Sequence, residues 1–373
     1  MLEKLKNLIT QSLDKKCKLD CSDWSRVLDD SSYVSIFHLK NTVNYYVSYY
    51  KGEDISFVVY QSERAVAVFP LFVYKNHDNW VLTSNGVELI EPVFIDTIND
   101  KTKKKIEKKV LELFIEISRY LNIYTLNITN INHNDISNWY LLWLDMVSKT
   151  FITYHLFVDL SLSLEEIKVN FSKSHKNLIN KSLKKWKTNI YNNIDNEAFS
   201  KFRLLHKEVS GRETRTIETW DIQQKTINQG EAFLITVLDS DIMIGSGLFT
   251  FSRDSGIYSV SASKRELFDS PIGHGMQMKA IEALKEKGCK WYEVGQRHYK
   301  NDEIKPTEKE LYSAIKDAYI KDTNELKKMG QEGYTWVEAN FSIEIHNKKM
   351  ESLYMWLLGK IEKPDFIYGE NSE

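Results

Sequence analysis

Ser270-Pro271-Ile272-Gly273-His274-Gly275 is the stretch on which the reading of the fold turns. On its N-terminal side Gly256–Ala262 alternates like a strand. On its C-terminal side Met276–Lys287 has the spacing of an amphipathic helix, which Gly288 stops. Glycines at such a junction let a backbone approach a ligand, and the first amides of the following helix form an anion site suited to a pyrophosphate or a carboxylate. A plain tight turn is the competing reading, because a short glycine motif alone is weak evidence.

Working outward, Phe233–Leu238 and Ile242–Phe251 read as two strands around the hairpin turn Asp239-Ser240-Asp241, and Lys290–Val294 as a strand after the helix. Further upstream lie a strand, Thr153–Leu160, a helical run with a basic stripe, Leu164–Trp186, and two helices, Phe199–Glu208 and Thr219–Ile227. The first half repeats this order on a smaller scale. A polar helix, Leu2–Leu13, precedes a hairpin of Ile55–Tyr60 and Ala65–Val73 around Gln61–Arg64, with Pro70 marking an edge or a bulge. After the turn signal Asn85-Gly86 comes Val87–Phe94, then a helix from about Asn99 to Leu121, then a strand, Tyr124–Ile128. The helix is marked by Ile106, Val110, Leu113, Phe114, Ile117 and Leu121, three and four apart.

The expected architecture is therefore α/β (α+β): two related units, 1–150 and 151–373, each a mixed central sheet flanked by helices. The second unit carries a helical extension over Glu308–Lys328 and Ile343–Leu358. No linker rich in Pro or Gly separates the halves, so rigid packing is expected.

Composition narrows the function classes. A chain of 373 residues suits two domains, and its formal net charge of −2 supplies no global field toward nucleic acid or anionic lipid. The longest apolar runs are strand-length and interrupted by charge, and Met1–Lys18 interleaves Lys and Glu with apolar residues. We therefore expect no membrane insertion, no secretory leader and a cytoplasmic location. Cys17, Cys21 and Cys289 form neither a disulfide framework nor a four-ligand zinc set, so no metal is expected. His38, His77, His133, His155 and His346 are scattered and receive no role, and Trp139, Tyr140 and Trp143 read as core packing.

The sextet resembles the pyrophosphate-binding motif of GNAT acetyltransferases: Arg or Gln, two residues, Gly, any residue, then Gly or Ala. Gly273 and Gly275 match, and Ser270 stands where Arg or Gln is usual. The wider pattern resembles the Fem-like branch of that superfamily, which doubles the GNAT-like domain within one chain. It runs through Asn85-Gly86, Glu91-Pro92-Val93-Phe94, Phe171 to Lys176, Leu205-His206 to Gly211-Arg212, Gly230 to Phe233, and Trp291 to Gly295. The resemblance covers residues 50–300. It implies two tandem GNAT-like domains and transfer of an acyl or aminoacyl group to an amine. It also implies acyl-CoA as co-substrate at Ser270, Gly273 and Gly275, and a small-molecule acceptor. Members of the family include peptidoglycan-bridge enzymes using aminoacyl-tRNA and acyl-CoA relatives found with surface-sugar synthesis. The chain departs from the family after its last strand. The usual Phe-Lys to Phe-Gly segment is replaced by Ala314 to Tyr319, without the aromatic before Lys316 and without the Gly.

Residues at the end of the last strand are placed where open α/β sheets bind ligands. Glu293, His274 or His298 is a candidate base for the acceptor amine, and Tyr299 a candidate donor to the leaving thiolate, with Gln296 and Arg297 beside them. Arg212 and Arg215, framed by Trp220, form a candidate wall for a carboxylate or phosphate. The competing reading there is a solvated loop capped by Thr216 or Thr219.

Lys173, Lys176, Lys181, Lys184, Lys185 and Lys187 form either a solvated helix face or a grip for a tRNA backbone. The leading expectation is an N-acyltransferase acting on an amino sugar or sugar nucleotide. An aminoacyl-tRNA-dependent transferase is second, and a catalytically silent binding module third.

Overall fold

The computed structural model describes residues 1–13, 17–18, 22–131, 136–144, 146, 148, 153–297 and the helical positions 324–325, 327–328, 331–332 and 335. Residues 1–147 and 152–300 form one compact unit, and 148–151 with 301–373 form a second. The expected helix Ile343–Leu358 and nearly all of Glu308–Lys328 lie outside the described residues, as do Ala314 to Tyr319.

The first half opens with α1 (Leu2–Ser12), β1 (Cys17–Lys18), α2 (Trp24–Asp29), a 3-10 turn (Ile36–His38) and α3 (Lys40–Tyr50). β2 (Glu53–Asp54), β3 (Phe57–Gln61), β4 (Arg64–Phe69), β5 (Phe72–Asn76), β6 (Asn79–Thr83) and β7 (Val93–Phe94) follow, then α4 (Asp100–Leu121) and α5 (Asn138–Leu144). The expected hairpin is β3–β4. The run Ala65–Val73, however, is two strands. Pro70 has no N–H to continue a ladder, and the chain leaves the sheet β1-β3-β4-β7 there to enter β2-β5-β6. Tyr124–Ile128 is not a strand either. Its one ladder contact is an isolated parallel bridge from Ile128 to Leu89, and Tyr124 is 92% exposed. Trp139 and Trp143 do pack in the core, edge to face with each other; Trp139 also meets Phe69 and Phe114 edge-on.

The second half comprises β8 (Tyr154–Asp159), α6 (Leu164–Val169), α7 (Lys173–Lys185), β9 (Lys187–Tyr191), α8 (Asn196–Ser210), α9 (Ile217–Asn228), β10 (Ala232–Asp239), β11 (Ile242–Phe251), β12 (Ser255–Ser263), α10 (Ile272–Glu286) and β13 (Trp291–Arg297). The helical run Leu164–Trp186 is broken in two because Ser163 and Ser172 each cap a new helix, accepting from Glu166 N–H and His175 N–H. The strands form one sheet in the order β8-β13-β12-β11-β10-β9. Alternation sends Phe233, Ile235, Val237 and Phe249 toward α7 and α10, and Leu234, Leu248 and Val260 toward α8 and α9.

Two irregularities shape the middle of this sheet. Leu248 pairs with Val260 but Phe249 with Tyr258, so Ser259 is an extra, bulged residue in β12. The parallel ladder between β12 and β13 runs only from Ser255 with Trp291 to Ile257 with Glu293. Beyond that point β12 stays with β11, and β13 continues against β8 alone. The two strands part.

The halves are locked by the turn between β11 and β12. Asp254, 1% exposed, accepts Val34 N–H at 3.0 Å and holds Lys290 Nζ at 2.9 Å. Ser252 Oγ donates to Val34 O at 2.5 Å, and Arg253 Nη2 to Ser31 O at 2.6 Å. A second tie joins α3 to the start of β10, where Asn41 Nδ2 donates to Glu231 and Gln229 at 2.7 Å. Among the described residues no helix is long and apolar enough to cross a membrane.

Asp254→Ala strips the Val34 amide of its acceptor, and we expect it to lower urea-unfolding stability by about 2–3 kcal/mol. His38, fully buried, has its pKa lowered to about 4 by desolvation, and its ring lies 2.9 Å from Glu91 O and 3.2 Å from Ser35 N. An unfolded His binds a proton below about 6.5 while the folded one stays neutral to about 4. Stability from this group is therefore present above pH 6.5 and lost toward pH 4. A His38→Gln chain should lack that loss, worth up to about 3 kcal/mol in the difference between the two pH profiles.

Candidate functional site

The face of the sheet opposite α10 carries the site. Tyr292 points toward α10, where its hydroxyl meets Gln277 Oε1, so its neighbour Glu293 points the other way. Glu293 pairs across the ladder with Phe157, and His155, two residues back on β8, shares that face. Val294 is bulged out of register, and Gly295 beside it takes φ +145°, a backbone that favours glycine. The result is a close pair: His155 Nδ1 lies 2.5 Å from Glu293 Oε1. Gln296 Nε2 sits 3.4 Å from the other ring nitrogen, Nε2. With the carboxylate accepting the Nδ1 proton, Nε2 is left as the basic nitrogen.

This pair lines a cleft of about 490 Å³ between the halves. The first half contributes Tyr33, Phe37, Asn85 and Glu88, and the second Ser255, Ile257 and Trp291. Burial pushes the Tyr33 hydroxyl up to about 12, against an opposing hydrogen bond with Ser255, so Tyr33 is a neutral donor or acceptor at physiological pH.

The helix α10 follows β12 in the chain, and its first residue, Ile272, packs over Gly245 of β11. It starts at Ile272, so Gly273 and Gly275 lie inside its first turn and not in a loop before it. Pro271 offers no side-chain cap. The Ile272 amide is spent on Ser270 O and the His274 amide on Pro271 O, and the Gly275 amide opens the helical ladder, whereas the Gly273 amide meets no acceptor among the described residues. A Cβ on Gly273 would meet nothing within 4 Å. On Gly275 it would fall 2.4 Å from Ser182 Oγ, so this glycine is required by the packing of α10 on α7. The unspent Gly273 amide, the open space beside it and the positive end of a helix fit an anion such as a pyrophosphate. His274 stands here, its ring 4.7 Å from that of His175, with its pKa lowered by burial and by that neighbour. It does not line the cleft.

Arg215 lines an adjoining cavity of about 230 Å³, walled by Tyr45, Tyr46 and Tyr49 of α3 and by Gln223 and Thr226 of α9. Its guanidinium lies on the Trp220 ring, 4.5 Å from the centroid, while Nε and Nη1 are sealed from solvent without a partner among the described residues. Gln223 Oε1 is likewise unpaired. Arg212 does not join it. It is exposed in the loop, where its carbonyl accepts from Ser210 Oγ, and Thr216 caps α9 by accepting from Thr219 N–H. Arg212 is thus a loop residue and Thr216 a helix cap, whereas Arg215 lines the cavity with Trp220 beneath its guanidinium. Arg297 ends β13, and His298 and Tyr299 lie outside the described residues. No group of three His, Cys, Asp or Glu among the described residues is arranged to hold a metal ion.

Neither a protein-family model nor a curated protein matches the sequence. Solved structures match its fold. The crystal structure of FemX has a TM-score of 0.53 at 15% identity, over 74% of this chain and 92% of that one. The structure of L-PGS from Bacillus licheniformis has a TM-score of 0.50 at 12% identity, over 78% of this chain and 82% of that one. The chain has the Fem-like GNAT fold, an α/β architecture of two GNAT-like units in tandem.

The two glycines of α10 should respond oppositely to a methyl group. Gly275→Ala overlaps Ser182 and should cost about 1–3 kcal/mol in thermal unfolding, with Ser182→Gly restoring most of it. Gly273→Ala should be neutral or slightly stabilising, because alanine is the better helix former and nothing stands in its way.

Proposed function

We propose that the protein is a cytoplasmic N-acyltransferase that moves an acyl group from acyl-CoA to the amine of a small acceptor, an amino sugar or sugar nucleotide. The observation that carries this reading is the His155–Glu293 pair, set in the cleft where the β12–β13 ladder ends, and it is joined by the unspent Gly273 amide in the first turn of α10. The first turn of α10, with the Gly273 amide and the close backbone that Gly273 and Gly275 allow, holds the pyrophosphate, and the bound thioester supplies an activated carbonyl carbon. His155 Nε2 removes the proton from the acceptor nitrogen, and Glu293 fixes the ring tautomer and stabilises the imidazolium that forms. A C–N bond forms as the C–S bond breaks, and the sulfur leaves as thiolate, for which Tyr299 is the candidate proton source. Positioning by the cleft walls supplies much of the rate.

Arg215 supports an acceptor bearing a phosphate or carboxylate. A guanidinium with unused donors in an aromatic cavity is costly unless an anion completes it. A second reading, transfer from aminoacyl-tRNA, draws on the exposed lysines 173, 181, 184, 185 and 187 along α7 and β9.

A thermal-shift series with acetyl-CoA, longer acyl-CoAs and charged tRNA separates the readings. A CoA thioester at one hundred times its Kd should add about 2.7 kcal/mol of stability, with little salt dependence. Gly273→Glu sets a carboxylate where the anion binds and should raise the KM for acyl-CoA at least about tenfold while leaving the fold intact. His155→Ala should lower kcat roughly a hundred- to ten-thousandfold with KM less affected. Protection by charged tRNA alone, lost steeply with salt, would select the second reading. Absence of any protection, with transfer unaltered in His155→Ala, would overturn the catalytic proposal.

A further inference from the structure

The first half holds a cavity that the transfer reading does not use. It measures about 270 Å³ and shares with the cleft only the wall formed by Tyr33. Asp100, Lys103 and Glu107, spaced three and four apart, line it from one face of α4. Glu91 faces it from the segment before β7, and Trp139 from α5. Glu107 and Trp139 are each 1% exposed, and Glu91 is 8% exposed.

Three polar atoms in this wall are sealed from water with no hydrogen-bond partner among the described residues: Glu91 Oε2, Glu107 Oε2 and Trp139 Nε1. Two acceptors and one donor, all unmet, make a recognition set of defined chemistry, because leaving such groups unpaired is costly. The charge balance points the same way. The lining carries Glu91, Asp96, Asp100 and Glu107 against Lys103, while His38 is neutral. Asp96 is already engaged by Ser32 N–H at 2.7 Å. Lys103 acts on both Glu91 and Glu107 through its charge, and Lys104 on Glu107, without direct contact. The Lys103 ammonium lies over the Phe94 ring, 5.2 Å from the centroid, and forms no ion pair with Glu91 or Glu107 among the described residues. Burial holds both carboxyls above the ordinary carboxylate range, outweighing the opposing pull of Lys103 on each and of the Ser137 hydrogen bond on Glu91.

We propose that this cavity binds a small organic ammonium carrying a nearby oxygen. The ammonium donates to Glu91 and Glu107, and the oxygen accepts from the Trp139 indole. The volume admits an amino alcohol or an amino sugar, and the ligand's ammonium supplies the direct contact that Lys103, placed over Phe94, does not make.

Calorimetric titration of the full chain with ethanolamine and glucosamine tests this directly, with ethylene glycol and glucose as partners of similar shape without nitrogen. The amines should bind at one site and the neutral compounds should not, a contrast that needs no variant. Glu107→Gln and Glu91→Gln keep the side-chain volume and should each weaken amine binding at least about tenfold. Trp139→Phe should weaken it less. Binding should persist in His155→Ala, which separates this site from the cleft and from the transfer reading. The proposal is overturned if neither amine binds, if glycol or glucose binds equally, or if potassium chloride at matched ionic strength competes as strongly as ethanolamine. It is also overturned if binding vanishes in His155→Ala yet survives in both glutamine variants.

Discussion

The buried carboxylate of Asp254 is the constraint on which the rest of the molecule depends. It sits in a turn between two strands of the second half and takes the Val34 amide of the first, while Ser252 and Arg253 take the neighbouring carbonyls. Segment 31–34 is thus held on both its donor and its acceptor side, and Tyr33 is fixed between them. Without that hold the cleft would lose one wall. On its other side the same turn meets β13, because Lys290 and Trp291 amides both reach Asp254 O. One short turn therefore sets the first half and the last strand against each other.

The second determinant is a departure from regularity. A flat parallel ladder between β12 and β13 would leave no opening between them. The bulge at Ser259 turns β12 toward β11, and the bulge at Val294 turns β13 toward β8, so the pairing stops after Ile257 and Glu293. The same second bulge aids the approach of Glu293 to His155. The short β12–β13 ladder and the Glu293–His155 contact thus follow from two extra residues in otherwise ordinary strands, and the Fem-like GNAT fold supplies the frame for both.

Much of this frame was legible in the sequence, and the misses have identifiable causes. The β10–β11 hairpin, β12 and β13 follow from alternating patterns that local physics enforces. The α10 start was set four residues late, because glycines argue against helix while Ile272 buries against the sheet and favours it. Tyr124–Ile128 has strand composition but lacks a neighbour, and a strand exists only through its partners. Glu293 was legible from its place on the last strand. His155 was not, since its meaning comes from a contact 138 residues away, set by register and a bulge that no local pattern announces. Arg215 was separated from Arg212 only by the Trp220 platform and the wall of α3 tyrosines.

The Asp254 turn also governs the order in which the chain can become complete. The contact to Val34 spans 220 residues, so during synthesis segment 31–34 waits for most of the chain to emerge before its amide and carbonyls are satisfied. Val34, Ile36 and Leu39 form a small apolar cluster of their own, against which Ile257 of β12 also packs. Until β12 arrives, that cluster lacks its outer layer on a nascent first half. The device that makes the finished protein rigid makes its unfinished form sticky, and the interval between the two is set by the ribosome.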